Sequence, residues 1–213
     1  EGRSTVLDAT RHCYGLAFVV LAYAHALKSG IEEARGWLAE TFEVAEKRFW
    51  EPLVGLYADE ATVDWVLSPY RGQNANMHAC EAMLAAFAAT GEARYIERAE
   101  TLAEAITRRQ AALADDLVWE HYNADWTVDW DYNRHDRSNI FRPWGYQIGH
   151  QTEWAKLLMI LDRHVDADWL VPTARHLFDT SMTRSWDEVR GGLYYGFAPE
   201  SRRQSNMDGA AIG

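Results

Sequence analysis

The sequence predicts an all-α protein whose helices pair and close into an α/α toroid. Segments that are apolar almost all round alternate with amphipathic segments, and this alternation occurs three times along the 213 residues. A helix that is apolar all round must be covered by neighbouring helices. Stacked helix pairs with apolar inner helices form either an open solenoid or a closed ring, and the near-complete apolarity favours the ring.

The two kinds of segment define an inner and an outer helix in each unit. The inner segments are Cys13–Ala24, Ala79–Ala89 and Trp154–Leu161. The outer segments carry apolar residues at helical spacing on one face and cover 34–45, 95–106 and 170–178. Turn residues that separate the paired helices are Gly30, Gly91 and Asp166–Asp168.

Two landmarks suggest an internal repeat of about 70 residues, in the range of repeat architectures. The histidines His12, His78 and His150 are 66 and 72 residues apart. Each unit also has a tryptophan followed by an acidic residue, and Trp50, Trp119 and Trp186 are 69 and 67 residues apart. Glycines and aromatic residues near these tryptophans predict a short hairpin that closes each unit. We therefore expect the three histidines to face one cavity at the mouth of the ring.

Composition excludes several classes of function. A formal charge of -11 disfavours a nucleic-acid partner, because phosphate binding depends on clustered Lys and Arg. The longest apolar run, Cys13–Ala24, is shorter than the roughly 18 residues of a membrane span. Cys13 and Cys80 lie in apolar stretches without metal-binding spacing, so we expect buried free thiols. A cytoplasmic protein without a membrane partner is expected.

His78 and His150 are the strongest candidates for chemistry. Each is expected near a helix start, and a glutamate follows three residues later, Glu81 and Glu153 respectively. The positive end of the helix dipole disfavours an imidazolium, so such a histidine stays neutral and can act as a base. The alternative that these are polar helix-start residues bound to backbone groups stays open.

Other site types have weaker support. Two His-x-x-Glu pairs on neighbouring helices could imitate a di-iron site, but the sequence has neither the His-Glu-x-x-His pattern of zinc sites nor the spacing of a facial triad, so no metal is expected. The Gly-x-Ser-x-Gly elbow of a serine nucleophile is also missing, and no cofactor is expected. An acidic segment rich in Trp and Tyr predicts a solvated loop with packing aromatics, or alternatively a wall that faces a sugar. Its acidic residues are Asp115, Asp116, Glu120, Asp125, Asp129, Asp131 and Asp136.

Three strings resemble the N-acylglucosamine 2-epimerase superfamily, and within it the bacterial mannose isomerases. They are Tyr-Arg-Gly-Gln-Asn-Ala-Asn-Met-His-Ala-Cys-Glu-Ala-Met at 70–83, Gly-His-Gln-Thr-Glu-Trp at 149–154, and Trp-Asp-Glu-Val-Arg-Gly-Gly-Leu-Tyr at 186–194. The resemblance implies an (α/α)6 barrel, of which 1–213 would be about the middle half and a single domain incomplete at both ends. It also implies metal-free interconversion of an aldose with a ketose, or of C2 epimers, on a small-molecule sugar.

The resemblance also implies roles for individual residues. His150 matches an acid/base histidine that Glu153 supports. His78 matches a histidine that contacts the sugar and assists ring opening or proton transfer, and Asn74 matches a sugar-binding residue. Further predicted sugar-binding residues are Arg71, Asn76, His12 and Glu81. The family's second acid/base histidine and a sugar-binding arginine fall outside 1–213.

The alternatives to an isomerase are a 2-epimerase of the N-acylglucosamine or cellobiose type, a glycosidase on the same toroid, and a non-catalytic carbohydrate-binding protein. Oligomeric state is not fixed by the sequence, and a homodimer is one compatible arrangement.

Overall fold

The protein is described by a computed structural model that covers residues 8–136 and 139–199. Three pairs of α-helices dominate this part of the chain, which confirms the all-α prediction. The helices are α1 Cys13–Lys28, α2 Ala34–Arg48, α3 Gln73–Thr90, α4 Ala93–Glu104, α5 Ile148–Leu161 and α6 Leu170–Ser185. Consecutive helices pack as pairs, and α3 also packs between α1 and α5. Helices α1, α3 and α5 are therefore the inner layer.

Short antiparallel strand pairs tie each unit together. The strands are β1 Arg11–His12, β2 Trp50–Glu51, β3 Leu56–Tyr57, β4 Glu60–Ala61, β5 Arg71–Gly72, β6 His121–Tyr122, β7 Tyr146–Gln147 and β8 Gly196–Phe197. The strand that enters an inner helix pairs with a strand that follows the outer helix, giving β1 with β4, β5 with β6 and β7 with β8. In each unit the first helical N–H donates to the carbonyl just before the returning strand, from Cys13 to Asp59, from Gln73 to Glu120 and from Ile148 to Tyr195.

Small side chains allow the inner helices to pack closely. Helix α3, which has inner neighbours on both sides, buries Ala79, Ala82 and Ala86 together with Met83. Helix α1 has one inner neighbour, and its Phe18 and Val19 remain exposed. The predicted joints at Gly30 and Gly91 are confirmed, since both adopt the left-handed backbone that glycine tolerates.

The prediction that the three histidines occupy matched positions is wrong. When the units are aligned on the strands β1, β5 and β7, His12 is the last strand residue, His150 lies three residues beyond it, and His78 lies six beyond. Each offset is nearly one helical turn, so the pattern of apolar residues is similar in either register. All three histidines still lie at the N-terminal ends of the inner helices or their entry.

The tryptophan landmark is also only partly correct. Trp50 and Trp186 each begin a hairpin, in which Trp50 opposes Tyr57 and Trp186 opposes Leu193. Trp119 instead lies just before β6, because the second unit replaces this hairpin with a π-helical segment at Ala105–Gln110 and a short 3-10 turn at Ala111–Leu113. The pattern of aromatic and acidic residues is therefore not sufficient to define a hairpin.

A different repeat was missed. After β4 and after β6 the chain makes a tight hairpin with an Asp-Trp pair, in which Trp65 and Trp126 both have positive φ angles. In both hairpins the tryptophan N–H donates to the residue three positions earlier, Thr62 or Asn123.

Two further expectations concern the thiols and the membrane. Cys13 and Cys80 are buried free cysteines, as predicted. Across residues 8–136 and 139–199, no helix has both the length and the apolar character needed to cross a membrane.

Candidate active site

The candidate site forms where the N-terminal ends of α3 and α5 meet the segment before β6. Pairing of β5 with β6 brings Glu120 next to the first turn of α3, where Gln73 N–H donates to the Glu120 carbonyl at 3.2 Å. Packing of α3 against α5 then places His150, in the first turn of α5, beside the same carboxylate. Residues distant in sequence thus meet through two contacts between backbone elements.

His150 is held through both ring nitrogens. Its Nδ1 lies 2.8 Å from Glu120 Oε2, and its Nε2 lies 3.0 Å from Asn74 Nδ2. Because an ionised carboxylate only accepts hydrogen bonds, Nδ1 donates, and Nε2 is then the acceptor for the Asn74 amide. Burial lowers the pKa of His150, but the charge and hydrogen bond of Glu120 outweigh it and raise the pKa above its ordinary value. Glu120 therefore opposes the predicted effect of the helix dipole, because its charge favours the protonated form of His150.

The carboxylate that orients His150 is not the predicted one. The sequence predicts Glu153, one turn further along α5, but Glu120 makes the short contact. Glu153 Oε1 instead lies 3.3 Å from Lys156 Nζ, and its charge adds to the rise in the pKa of His150. The expectation of a solvated acidic loop is also wrong at Glu120, which is 4% exposed.

His78 belongs to a neighbouring polar cluster between α3 and α5. Its Nδ1 lies 3.3 Å from Glu81 Oε2, and Lys156 Nζ lies 3.3 Å from a carboxylate oxygen of both Glu81 and Glu153. Burial lowers the pKa of Lys156, but the two carboxylates outweigh it and raise the pKa. The rings of Tyr14 and Phe18 pack against the His78 ring at centroid distances of 5.2 and 4.8 Å.

The same cluster has donors that a metal ion could use. One potential ligand atom from each of His78, Glu81 and Glu153 lies within 4.8 Å of the others. The Lys156 ammonium already contacts both carboxylates, so a cation would compete with it for the same oxygens. The expectation that no metal is required stays a prediction.

His12 lies in a third group of polar residues. Its Nδ1 is 3.4 Å from Glu60 Oε2, and the same oxygen accepts a hydrogen bond from Arg142 Nη2 at 2.8 Å. The Arg142 guanidinium also stacks over the Tyr70 ring at 4.0 Å from its centroid. These contacts connect the loop before β7 to the first unit.

Arg71 and Asn76 are engaged by the protein itself. Arg71 is buried, forms two hydrogen bonds with Glu51 at 2.7 and 2.9 Å, and donates to the carbonyls of Ser68 and Tyr70. Asn76 is fully buried, accepts from the Tyr57 N–H at 2.8 Å, and donates to the Tyr57 carbonyl at 3.0 Å. Their predicted sugar contacts stay untested, and these bonds indicate structural roles.

The sequence did not point to Gln73 or Trp154 as parts of the site, and it pointed to Glu120 only as one of several acidic residues in a solvated loop or a wall that faces a sugar. Trp154 Nε1 donates to Gln73 Oε1 at 2.7 Å, and Gln73 Nε2 donates to Glu120 Oε2 at 3.0 Å. Gln73 lies inside the Arg-Gly-Gln-Asn string, so a polar residue at the start of an apolar inner helix was an available signal.

Paired inner and outer helices joined by short returning strands are the architecture of α/α-barrel proteins. The chain belongs to the N-acylglucosamine 2-epimerase family, whose model matches residues 2–208. This confirms the resemblance found in the sequence.

Individual relatives agree with this assignment. A D-mannose isomerase from Marinomonas mediterranea is 54% identical over 198 residues, which cover 92% of this chain and 50% of that protein. A crystal structure of a D-mannose isomerase, also 54% identical, superposes with a TM-score of 0.90 over 92% of this chain and 51% of that one. The cellobiose 2-epimerase of Spirochaeta thermophila shares the fold at 24% identity, with a TM-score of 0.66 over 84% of this chain and 46% of that one. The chain spans about half the length of the curated relatives it matches.

Proposed function

We propose that the protein containing this chain is a sugar isomerase that interconverts an aldose and a ketose of the mannose and fructose type. The observation that carries the proposal is His150, a histidine with Nδ1 held by a buried carboxylate and Nε2 directed at an amide that can bind sugar oxygens. Membership of the family and the similarity to D-mannose isomerases support the choice of substrate.

In the proposed reaction, Nε2 of His150 removes the proton from C2 of the open-chain aldose. The electron pair of the broken C2–H bond forms the C1–C2 double bond of an enediol, and O1 gains a proton. Return of a proton to C1 forms the new C1–H bond, while O2 loses its proton and becomes the ketose carbonyl. A group with a pKa near neutrality is suited to both directions of transfer.

The other side chains would bind and orient the sugar. Asn74 donates to Nε2 in this structure, so a sugar oxygen that takes over the Asn74 amide would free Nε2 to accept the C2 proton. His78 lies near Glu153 and Lys156 on the adjoining surface, where its imidazole would contact the sugar oxygens. The resemblance implies a second acid/base histidine outside 1–213, and the chain spans about half the length of the relatives it matches, so the proposed activity concerns the whole protein.

Incubation of the full-length protein with mannose in D2O tests the proposal. We expect fructose as the product and deuterium at C1 or C2, and we expect His150→Ala to abolish this exchange. His164→Ala is the control, because His164 is exposed beyond the opposite end of α5. Undiminished exchange in His150→Ala would overturn the assignment.

This assay, together with a measurement of sugar binding and an incubation with glycans, separates the alternatives. Glucose rather than fructose would indicate a 2-epimerase, sugar binding without exchange would indicate a non-catalytic binding protein, and sugar released from a glycan would indicate a glycosidase.

Activity that survives dialysis against EDTA is expected, and its loss with recovery on adding a divalent cation would contradict the metal-free mechanism. A cytoplasmic location and a homodimer stay predictions.

A further inference from the structure

A chain of buried hydrogen bonds between α3 and α5 leads to His150. It runs from Trp154 Nε1 to Gln73 Oε1 at 2.7 Å, and from Gln73 Nε2 to Glu120 Oε2 at 3.0 Å. The same Glu120 oxygen is 2.8 Å from His150 Nδ1. Trp154 and Gln73 are fully buried and Glu120 nearly so, which excludes competing hydrogen bonds to bulk water.

The direction of each bond follows from the donors available. An indole N–H can only donate, so it fixes the oxygen end of the Gln73 amide toward Trp154 and the NH2 end toward Glu120. Glu120 Oε2 then accepts from the amide and can accept a second hydrogen bond from the imidazole. The proton of neutral His150 must therefore be on Nδ1, because the group bound to one ring nitrogen decides which nitrogen is protonated.

The other repeats show that the fold does not need these polar residues. The position of Gln73, first after the entry strand, is occupied by Cys13 in the first unit and Ile148 in the third, both buried. The position of Trp154, seventh after the strand, is occupied by Val19 and Ala79. Apolar side chains thus fill both positions elsewhere, and the polar chain occurs where an inner helix presents His150.

The carboxylate position recurs in the first unit, but its contacts differ. Asp59 is the residue of the first unit that corresponds to Glu120, since each lies directly before the returning strand. Asp59 accepts a hydrogen bond from the Gly72 backbone N–H, whereas Glu120 contacts the His150 imidazole. One position therefore supports the backbone in one unit and orients the imidazole in the next.

We propose that Trp154, Gln73 and Glu120 are positioning residues that select the Nδ1–H tautomer of His150 and so leave Nε2 as the atom that exchanges protons. The consequence for catalysis rests on the proposed function, whereas the choice of tautomer rests only on the hydrogen bonds.

The test is ¹⁵N NMR of the histidines in the full-length protein at a pH above the pKa of His150, with His150→Ala to assign the signal. We expect the Nδ1–H tautomer in the wild type and a shift toward the Nε2–H tautomer in Glu120→Ala. Glu120→Gln can keep an oxygen facing Nδ1, so it should retain the Nδ1–H tautomer while lowering the pKa of His150. Nε2–H as the main tautomer of the wild type, or an unchanged tautomer in Glu120→Ala, would overturn the proposal.

Kinetics provide the second readout. The variant Gln73→Leu introduces an apolar side chain, as found at this position in the other units. We expect it to lower kcat at least tenfold with little change in KM, since general acid–base catalysis contributes about 10² to 10⁴-fold. Glu120→Gln should also move the acidic limb of kcat/KM to lower pH. Glu40→Gln, on the exposed face of α2, is the matched control and should change neither property.

The two readouts separate the proposals. The expected tautomers without any isomerisation of mannose would contradict only the proposed function. Isomerase activity with an unchanged pH profile and unchanged kcat in both Gln73→Leu and Glu120→Gln would contradict only the positioning role.

Discussion

Replacement of Asn76 by Ala tests whether this residue supports the fold or binds sugar. Asn76 is fully buried, and its side-chain amide accepts a hydrogen bond from the backbone N–H of Tyr57 at 2.8 Å and donates one to the Tyr57 carbonyl at 3.0 Å. A third bond reaches the Gly72 carbonyl. Each buried backbone group left without a partner costs about 1–3 kcal/mol, so loss of the two Tyr57 partners should destabilise the protein by roughly 2–6 kcal/mol.

Urea unfolding of the full-length protein, followed by tryptophan fluorescence, measures this change. The matched control is Asn74→Ala, which removes the same amide two residues earlier in α3, where it contacts His150 Nε2. We expect Asn74→Ala to alter kcat and KM with little change in the free energy of unfolding, and Asn76→Ala to do the reverse. A change in stability below about 0.5 kcal/mol together with a raised KM in Asn76→Ala would refute this reasoning.

Three further substitutions have defined outcomes. Burial raises the pKa of Asp59 to about 8, so the folded state keeps a proton that the unfolded chain loses above about pH 4. The stability of the wild type should therefore fall as the pH rises from 5 to 7, by about 1 kcal/mol per pH unit more than the stability of Asp59→Asn, as measured by urea unfolding. Asn74→Asp places a carboxylate beside His150 Nε2, which should raise the pKa of His150 by one unit or more and shift the acidic limb of kcat/KM to higher pH; an unchanged limb would contradict the assigned contact. Arg71→Met leaves Glu51 without its ion pair and should destabilise the protein by about 3 kcal/mol at unchanged KM. A raised KM at unchanged stability would instead support a contact between Arg71 and the sugar.

The fold could be predicted because its signals are local. Apolar residues all round one helix and on one face of the next identify inner and outer helices within about 20 residues, and the structure confirms both. Repeat register was harder to predict, because a shift of three residues nearly preserves helical periodicity. The strands that define the register are two residues long, as in Arg71–Gly72, and carry too few side chains for a period-two pattern.

The site was only partly predictable for a related reason. His150 and Asn74 were identified from their strings, and the structure places them 3.0 Å apart. Glu120 lies in a run of acidic residues of which most are exposed, and only its position before β6 directs it inward. The predicted partner Glu153 is near His150 in sequence, but a carboxylate from another element has the better geometry.

Comparison of the three units shows where the repeat itself carries structure and where it does not. At the fourth position after the entry strand, Asn76 and Gln151 have the same structural role, since each amide binds the backbone N–H and carbonyl of a segment in the preceding unit, at Tyr57 and Val118 respectively. Gln151→Ala should therefore destabilise the protein about as much as Asn76→Ala. By contrast, His150 corresponds to Gly15 and Ala75, residues without a functional side chain. The amide that recurs at this position thus maintains the scaffold, whereas His150 lies at a position that carries no polar side chain in the other two units.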